Sequence, residues 1–265
     1  MDKRTLISRL AVEEEDAVAL AQFLDKSVQA EKSNVPASTA FFNPRQQTLA
    51  DTLARQTSVM PYVFFGGYDD AERRTAVFLP DWVQPEDAAQ YAPLAVFRAV
   101  WSAQSKASLS HRDFLGALMG CGVRRDTIGD ILAKEQSCDL IVLQSVARYI
   151  EENLISVGRA AVSLSRITPA EIEVPPRKVR LIRDTLASLR LDAAVSTGFS
   201  MSRERAQELI RTGHCVLNNL PCEKPDRAIA EGDVVSARGF GKFRISSVGS
   251  VSKKGRIFIE VERYE

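Results

Sequence analysis

The apolar and polar positions of residues 1–58 alternate with the period of amphipathic helices. Over roughly the first 28 residues, apolar side chains recur at helical spacing, as at Leu10 and Leu20. A polar stretch with a proline, EKSNVPAST, interrupts this pattern. A second helix is expected from Pro44, since Asn43 is a suitable N-cap. The pattern therefore predicts a helical N-terminal subdomain over residues 1–58.

Residues 59–167 change to a pattern dominated by strands. In residues 60–80, two aromatic and β-branched runs flank a GGYDD turn, which is typical of a β-hairpin. Residues 93–167 then predict the order strand, helix, strand, strand, helix, strand. This order is typical of a ferredoxin-like or RRM-like sandwich, with helices on one face of an antiparallel sheet. The central strands lack stacking aromatic residues, so RRM-like base stacking is not expected.

A proline-containing segment, TPAEIEVPPRK, separates this domain from the rest of the chain. It spans residues 168–178, and its composition predicts an extended linker. Residues 179–265 follow as a C-terminal domain in which short helices and strands alternate. The sequence therefore predicts an α+β protein with three domains and one linker.

The net charge of +1 conceals an asymmetry between the two parts of the chain. Residues 176–265 hold 17 lysines and arginines against 11 aspartates and glutamates, a net charge of +6. Residues 1–175 hold 18 against 23, a net charge of −5. A basic C-terminal third is typical of nucleic-acid binding, although the extra charge could equally serve solubility.

One predicted helix in the basic third carries an ordered set of polar side chains. It lies between Ser202 and Gly213, which suit the N-cap and the C′ position, and its apolar residues share one face. Arginine and glutamine beside that face suit the phosphates and sugars of folded RNA. The candidate contacts on the helix are Arg203, Arg205, Gln207 and Arg211. Further candidates on nearby turns and strand ends are Lys224, Arg227, Arg238 and Lys242.

The middle domain offers a second basic group. His111 and Arg112 follow Ser110, the candidate N-cap of a helix, so they occupy the first turn, where free backbone N–H groups also point. Arg124 and Arg125 lie on the turn after this helix. Each of the four could contact RNA or simply face solvent, and the residue pattern alone leaves both interpretations open.

The cysteines, histidines and apolar runs predict neither a metal site nor a membrane segment. The only thiols and imidazoles are Cys121, Cys138, Cys215, Cys222, His111 and His214, without a Cys-x-x-Cys pair. No run reaches the roughly 18 apolar residues of a membrane-spanning helix, and no signal-peptide core is visible. We therefore expect a cytoplasmic protein with no cofactor, no metal and no small-molecule substrate.

Residues 190–243 resemble an S4 (αL-type) RNA-binding domain. The elements Arg-Leu-Asp, Ser-Arg, Leu-Ile-x-x-Gly, Val-x-Asn and Gly-Asp-x-Val occur in order within RLDAAVSTGFSMSRERAQELIRTGHCVLNNLPCEKPDRAIAEGDVVSARGFGKF. The resemblance implies two helices packed on a small sheet, and binding of structured RNA through the second helix and nearby loops. It implies these roles for Arg203, Arg205, Gln207, Arg211, Lys224 and Arg227.

A wider resemblance covers most of the chain. The segment HRDFLGALMGCGVRRDTIGDI, joined to a C-terminal S4 domain, resembles the bacterial YlmH family. The resemblance implies a non-catalytic protein that binds rRNA or tRNA on the large ribosomal subunit, in quality control of stalled complexes that carry peptidyl-tRNA. It also implies RNA contacts in the middle domain, which favours that role for Arg112, Arg124 and Arg125.

Two other functions compete with this one. S4 modules accompany RNA-modifying pseudouridine synthases and methyltransferases, and RLDAAVSTG also resembles the aspartate motif of the former. In an S4 domain, however, Asp192 would be structural, and few residues remain after Phe243 for a catalytic domain. The third function is that of an adaptor, whose N-terminal helices bind a protein partner. We expect an RNA-binding protein that is not an enzyme, and an adaptor role is compatible with it.

Overall fold

The computed structural model describes residues 3–102, 108–253 and 255–264. The chain divides into two compact units, of which the first ends at Pro175 and the second begins at Pro176. The predicted domains also include residues 1–2, 103–107, 254 and 265, which lie outside the described residues.

The first unit opens with helices and a small sheet. The helices are α1 (Lys3–Leu10), α2 (Glu14–Ser33), α3 (Pro44–Ala54) and the short α4 (Ala88–Tyr91). The strands are β1 (Ala37–Ser38), β2 (Tyr62–Phe65) and β3 (Thr75–Phe78), in the order β1-β3-β2. Asn43 caps α3 as predicted, because its side chain accepts a hydrogen bond from the Gln46 backbone at 2.9 Å.

The predicted β-hairpin is confirmed, but it does not belong to the middle domain. Its strand β3 pairs with β1, and the rings of Phe78 and Tyr62 pack on Phe23 of α2 with centroids 4.9 Å away. The predicted boundary between residues 58 and 59 therefore separates strands from the helices that cover them. The two-residue strand β1 is too short to give a periodic signal in the sequence.

A ferredoxin-like sandwich follows, as predicted. Its elements are β4 (Leu94–Val100), α5 (His111–Gly120), β5 (Ile128–Ala133), β6 (Ser137–Leu143), α6 (Gln144–Asn153) and β9 (Ser163–Ile167), with β7 (Ser156–Val157) and β8 (Ala160–Ala161) forming a separate ladder. The strand order is β5-β6-β4-β9 and every pair is antiparallel. On the helix-covered face, Phe97 and Leu140 pack with Phe114, Leu118 and Ile150 into one core.

The other face of this sheet is also covered. Phe41, from the segment before α3, packs with Val96 and Ile141, and Ile172 contributes from beyond β9. A Cβ atom on Gly129 would stand 2.7 Å from the Phe41 ring, so only a glycine admits the ring at this point of β5. An RRM keeps this sheet face open for bases. Here the face is part of the interior of the first unit.

Replacing Gly129 with alanine is expected to lower the free energy of unfolding by about 1–3 kcal/mol, because the Phe41 ring must move off the sheet. Chemical unfolding measures the change. Gly116→Ala in α5 is the matched control, since nothing lies within 4 Å of its added methyl group. That control should gain about 0.5–1 kcal/mol from helix propensity. Equal stability of the two variants would contradict the close packing at Gly129.

The predicted linker is extended only in part. Pro169–Glu171 forms a 3-10 turn, and Arg98 of β4 donates a hydrogen bond to the Glu171 carbonyl at 2.7 Å. The backbone N–H of Glu173 donates to the buried Asp139 at 2.9 Å. Residues 168–173 are therefore bound to the first unit, because their carbonyl and N–H groups complete a cluster of charges on its sheet. This differs from the prediction of one extended linker over residues 168–178.

The second unit packs two helices on one sheet. The helices are α7 (Leu191–Gly198) and α8 (Arg203–Arg211), and the strands are β10 (Val179–Leu186), β11 (Cys215–Leu217), β12 (Leu220–Pro221), β13 (Val234–Ala237), β14 (Gly241–Val251) and β15 (Ile257–Tyr264). The strand order is β10-β15-β14-β13-β11-β12. Leu191, Ile210 and Phe243 lie in its core. The predicted ends of α8 are confirmed: Ser202 is the N-cap, and Gly213 follows the helix with a φ of 73°.

Candidate nucleic-acid interface

A buried carboxylate organises the surface beside α7 and α8. Asp192 is fully buried in the first turn of α7. Arg190 and Arg203 each donate two hydrogen bonds to it at 3.1–3.2 Å. Gln207 donates a fifth at 2.8 Å. The flank predicted as a row of RNA contacts is thus partly directed inward, onto one carboxylate.

These hydrogen bonds set the ionisation of Asp192. Burial alone would raise its pKa, but hydrogen bonds from Arg190, Arg203 and Gln207 outweigh burial and lower the pKa to about 2. The carboxylate is therefore charged at neutral pH and holds both guanidinium groups in place. The side chains of Arg190 and Arg203 remain 37% and 49% exposed, so their outer edges still face solvent.

A loop brings two predicted residues to the same place. The Leu191 N–H donates to the carbonyl of Arg227, and the Asp192 N–H donates to the carbonyl of Pro225, both at 2.9 Å. The Arg227 N–H in turn donates to the carbonyl of Lys224 at 3.1 Å. The exposed side chains of Lys224 and Arg227 therefore extend from a loop anchored to the start of α7, next to Arg190.

Aromatic rings support the other side of α8. The guanidinium of Arg205 lies 5.5 Å from the centre of the Phe240 ring, and that of Arg263 lies 5.4 Å from the Phe199 ring. Phe199 and Phe240 contact each other, with centroids 5.8 Å apart. Cation–π contacts of this kind restrain an exposed arginine without neutralising its charge.

Two further predicted residues, Arg211 and Arg238, lie at the C-terminal end of α8. Lys242 lies apart from the other predicted residues. Arg211 is exposed in the last turn, and the Arg238 N–H donates to the carbonyl of His214 directly after the helix, at 3.0 Å. Lys242 precedes the core residue Phe243 in β14, so it projects from the opposite face of the sheet, over the Tyr264 ring. The structure thus groups the predicted residues around α8 except Lys242.

The four candidates of the middle domain are close together but differ in their contacts. His111 and Arg112 are exposed in the first turn of α5, which Ser110 caps. Arg124 is paired with Asp126, while Arg125 donates to the Ile128 carbonyl at 2.8 Å. Although the side chain of His111 is exposed, partial desolvation by the residues around it and the charge of the neighbouring Arg125 lower its pKa, which favours its neutral form.

Sequence reasoning missed three contributors to the surface of the second unit. These are Arg190, Phe240 and Arg263. Arg190 opens the Arg-Leu-Asp element, so a signal for it was present in the sequence. Nothing in the local pattern indicates that Phe240 lies under Arg205, because the two residues meet only through the fold.

The part of the chain that the structure describes shows neither a metal-binding cluster nor a membrane-spanning helix. Within residues 3–102, 108–253 and 255–264, no three histidine, cysteine or acidic side chains are grouped so that they could hold a metal ion. Over the same ranges, no helix combines the length and apolar character needed to cross a bilayer.

Comparisons with known proteins find similarity to three sources. Residues 95–171 match the family model described as "Putative RNA-binding domain in YlmH". The chain is 36% identical over 225 residues to "Ribosome-associated protein quality control protein P2" of Bacillus subtilis (strain 168), covering 85% of this chain and 86% of that protein. A solved structure, "Cell division protein ylmH from Streptococcus pneumoniae", superposes with a TM-score of 0.47 and 23% identity over 62% of this chain and 98% of its own.

These findings define first the class and then the family. The class is that of α+β proteins with a ferredoxin-like domain of the YlmH type. The chain belongs to the YlmH family, as its identity to the Bacillus subtilis relative over most of both chains shows.

Proposed function

We propose that this protein is a non-catalytic RNA-binding factor that acts in ribosome-associated quality control, on large subunits that carry peptidyl-tRNA. We assign the second unit as an S4-type domain that binds rRNA or tRNA. Membership of the YlmH family and the name of the Bacillus subtilis relative support a role in ribosome-associated quality control. The description of the matched family model supports RNA as the ligand.

The observation that carries the proposal is the ordering of basic side chains around Asp192. Arg190 and Arg203 are fixed by one buried carboxylate, and Arg205 rests on Phe240. Held in this way, the side chains lose little conformational entropy when they meet a phosphate. A folded RNA presents phosphates at fixed positions, so a rigid basic surface suits it better than a mobile one.

The alternative of an RNA-modifying enzyme is disfavoured by the same carboxylate. A catalytic aspartate must reach the reacting base. Asp192 is fully buried and accepts five hydrogen bonds from Arg190, Arg203 and Gln207. Its position therefore fits a structural role. A methyltransferase would need a glycine-rich loop between a strand and a helix, whereas the paired glycines of GGYDD lie in the turn between strands β2 and β3.

We assign RNA contacts in the first unit to the exposed edge of the ferredoxin-like domain. Its sheet face is covered by Phe41 and Ile172, which leaves the helix starts and turns. His111 and Arg112 lie on such a helix start and are exposed. A protein partner for the N-terminal helices is a separate part of the proposal.

Co-sedimentation with ribosomes tests the proposal. The variant Arg205→Ala/Arg211→Ala removes two exposed charges from α8 that make no contact with Asp192. We expect at least a tenfold loss of binding to 50S subunits carrying peptidyl-tRNA, and a salt dependence reduced by about two phosphate contacts. Binding is compared with that to 70S ribosomes and empty 50S subunits at two salt concentrations.

The matched control is Arg183→Ala/Arg244→Ala. Both arginines are exposed on the face of the same sheet that points away from α7 and α8, because their neighbours Ile182 and Phe243 face the core. The control removes the same charge from the same unit. Equal losses in the two variants would show that binding depends on net charge alone, which would contradict an interface on α8.

A further inference from the structure

A cavity of about 420 Å³ lies within the first unit, between its N-terminal helices and the ferredoxin-like domain. Its apolar part includes Val18 and Ala19 of α2, Phe41, and Met119 of α5. Arg73 and Arg125 belong to its polar part. The volume is in the range of small-ligand and side-chain pockets, about 300–1,000 Å³. The proposed RNA surface on the second unit does not involve this cavity.

Two of the three arginines that line the cavity, Arg73 and Arg125, are held side by side by one carbonyl oxygen. Arg73 donates its Nε–H to the Ile128 carbonyl at 2.8 Å, and Arg125 donates its Nη1–H to the same oxygen at 2.8 Å. Nη2 of Arg73 also donates to the carbonyls of Phe41 at 3.3 Å and Arg125 at 3.2 Å. Within the described ranges, neither arginine forms an ion pair, and Nη1 of Arg73 and Nη2 of Arg125 have no hydrogen-bond partner. Both atoms are accessible to solvent, because no buried side-chain nitrogen in these ranges lacks a partner. An anion entering the cavity would pair with both arginines.

Two acidic residues, Glu15 and Asp126, line the cavity together with the arginines. Asp126 is paired with Arg124. Asp130 accepts hydrogen bonds from the Tyr68 hydroxyl and from the backbone N–H groups of Glu72 and Arg73. Burial and the nearby Arg125 lower the pKa of Arg73 to about 10, although Asp130, Asp126 and Glu15 act in the opposite direction. Since Asp126 is paired with Arg124, the lining keeps Arg73 and Arg125 against the single carboxylate of Glu15, and this excess of positive charge attracts an anion.

The rim of the cavity is apolar and open. Val18 is 65% exposed and Met119 is 46% exposed, although both are large apolar side chains next to the cavity. Methionine adapts its shape to different apolar partners, which makes it common at binding surfaces. The site therefore combines an apolar rim with arginine side chains that can bind an anion.

Two observations favour a peptide over RNA as the occupant. The rings of Phe41 and Phe42 are only 1% exposed, so they offer no open face on which a base could stack. Residues 1–175 carry a net charge of −5, which repels a phosphodiester backbone but tolerates a single carboxylate beside two arginines. We propose that this cavity is a docking site for a partner protein, through a short segment with a carboxylate next to large apolar side chains.

Methyl NMR of the full chain tests the proposal, with Met119 and Val18 as reporters. The probes are acetyl-Asp-Leu-Phe-amide, its analogue acetyl-Asn-Leu-Phe-amide, and adenosine and uridine 5′-monophosphate. We expect the aspartyl peptide to shift both reporters saturably, and the asparaginyl peptide to bind at least tenfold more weakly, because it lacks the charge that pairs with Arg73 and Arg125.

Two variants test whether the peptide binds at the cavity. Arg125→Gln should weaken the aspartyl peptide at least tenfold, whereas Arg148→Gln on the exposed surface of α6 should leave its binding unchanged. Unshifted methyl signals of Leu118 and Ile150 would show that each variant remains folded. Shifts with the nucleotides but not with the peptide, or equal binding of both peptides, would overturn the proposal. Since no RNA or ribosome takes part, this test and the co-sedimentation test can fail independently.

Discussion

Replacing Asp139 with asparagine is expected to lower the free energy of unfolding of the first unit by about 3–5 kcal/mol. Asp139 is fully buried in β6 and accepts two hydrogen bonds from Arg98 at 2.7 and 2.9 Å, and one from Lys134 at 3.1 Å. The backbone N–H of Glu173 donates a fourth at 2.9 Å. Without this carboxylate, the largely buried Arg98 and Lys134 would keep only the exposed carboxylate of Glu173 as an anionic partner. Hydrogen exchange of the full chain measures the loss segment by segment.

Glu173→Gln is the control for Asp139→Asn. Glu173 pairs with the same two cations, Arg98 and Lys134, but its side chain is 62% exposed. An ion pair so accessible to water contributes at most about 1 kcal/mol. We therefore expect faster exchange throughout residues 94–167 in Asp139→Asn and little change in the control. Similar effects of both substitutions would contradict the central role of the buried carboxylate.

Asp192→Asn should have the second-largest effect, a loss of about 2–3 kcal/mol confined to the second unit. The estimate is smaller than for Asp139 because Arg190 and Arg203 are partly exposed and can regain water. Ribosome binding should fall together with stability, since both arginines lose the carboxylate that orients them. Exchange in residues 179–251 reports the stability, and Asp139→Asn is the control because it acts on the other unit.

The effect of Asp192→Asn should also depend on pH. The pKa of Asp192 falls from an ordinary value of 3.8 to about 2 on folding, so the carboxylate stabilises the folded state fully above pH 3.8. That contribution is lost as the pH falls from 3.8 to about 2. The difference in unfolding free energy between wild type and Asp192→Asn should shrink in this window. A difference that stays constant would exclude titration of Asp192 as its cause.

The ferredoxin-like order was predictable because each of its elements has a local apolar signal. Phe97 and Leu140 lie in short apolar runs typical of buried strands, while Phe114 and Leu118 recur at helical spacing, and all four meet in one core. What covers the second face of the sheet was not predictable. Phe41 lies in an irregular segment, and a single aromatic residue there has no period that could indicate its partner.

In the candidate RNA interface, too, positions along one helix were predictable from the sequence, whereas contacts between elements were not. Helical spacing correctly placed Arg203, Gln207 and Arg211 on α8. It could not show that Arg203 and Gln207 bind Asp192 of α7, because this contact depends on how the two helices pack. Lys242 was misplaced because alternation along β14 directs it to the opposite face from Phe243.

The doubly covered sheet restricts how this chain can be divided for study. A fragment of residues 95–171 would contain all the strands of the ferredoxin-like sheet but lack Phe41 and Tyr68. Val96 and Ile141 would then lie in a contiguous apolar patch open to water, which promotes aggregation. A failure of such a fragment to bind RNA would reflect its exposed interior. A fragment that begins with α1 and continues through Glu173 keeps both faces covered and is the appropriate unit to isolate.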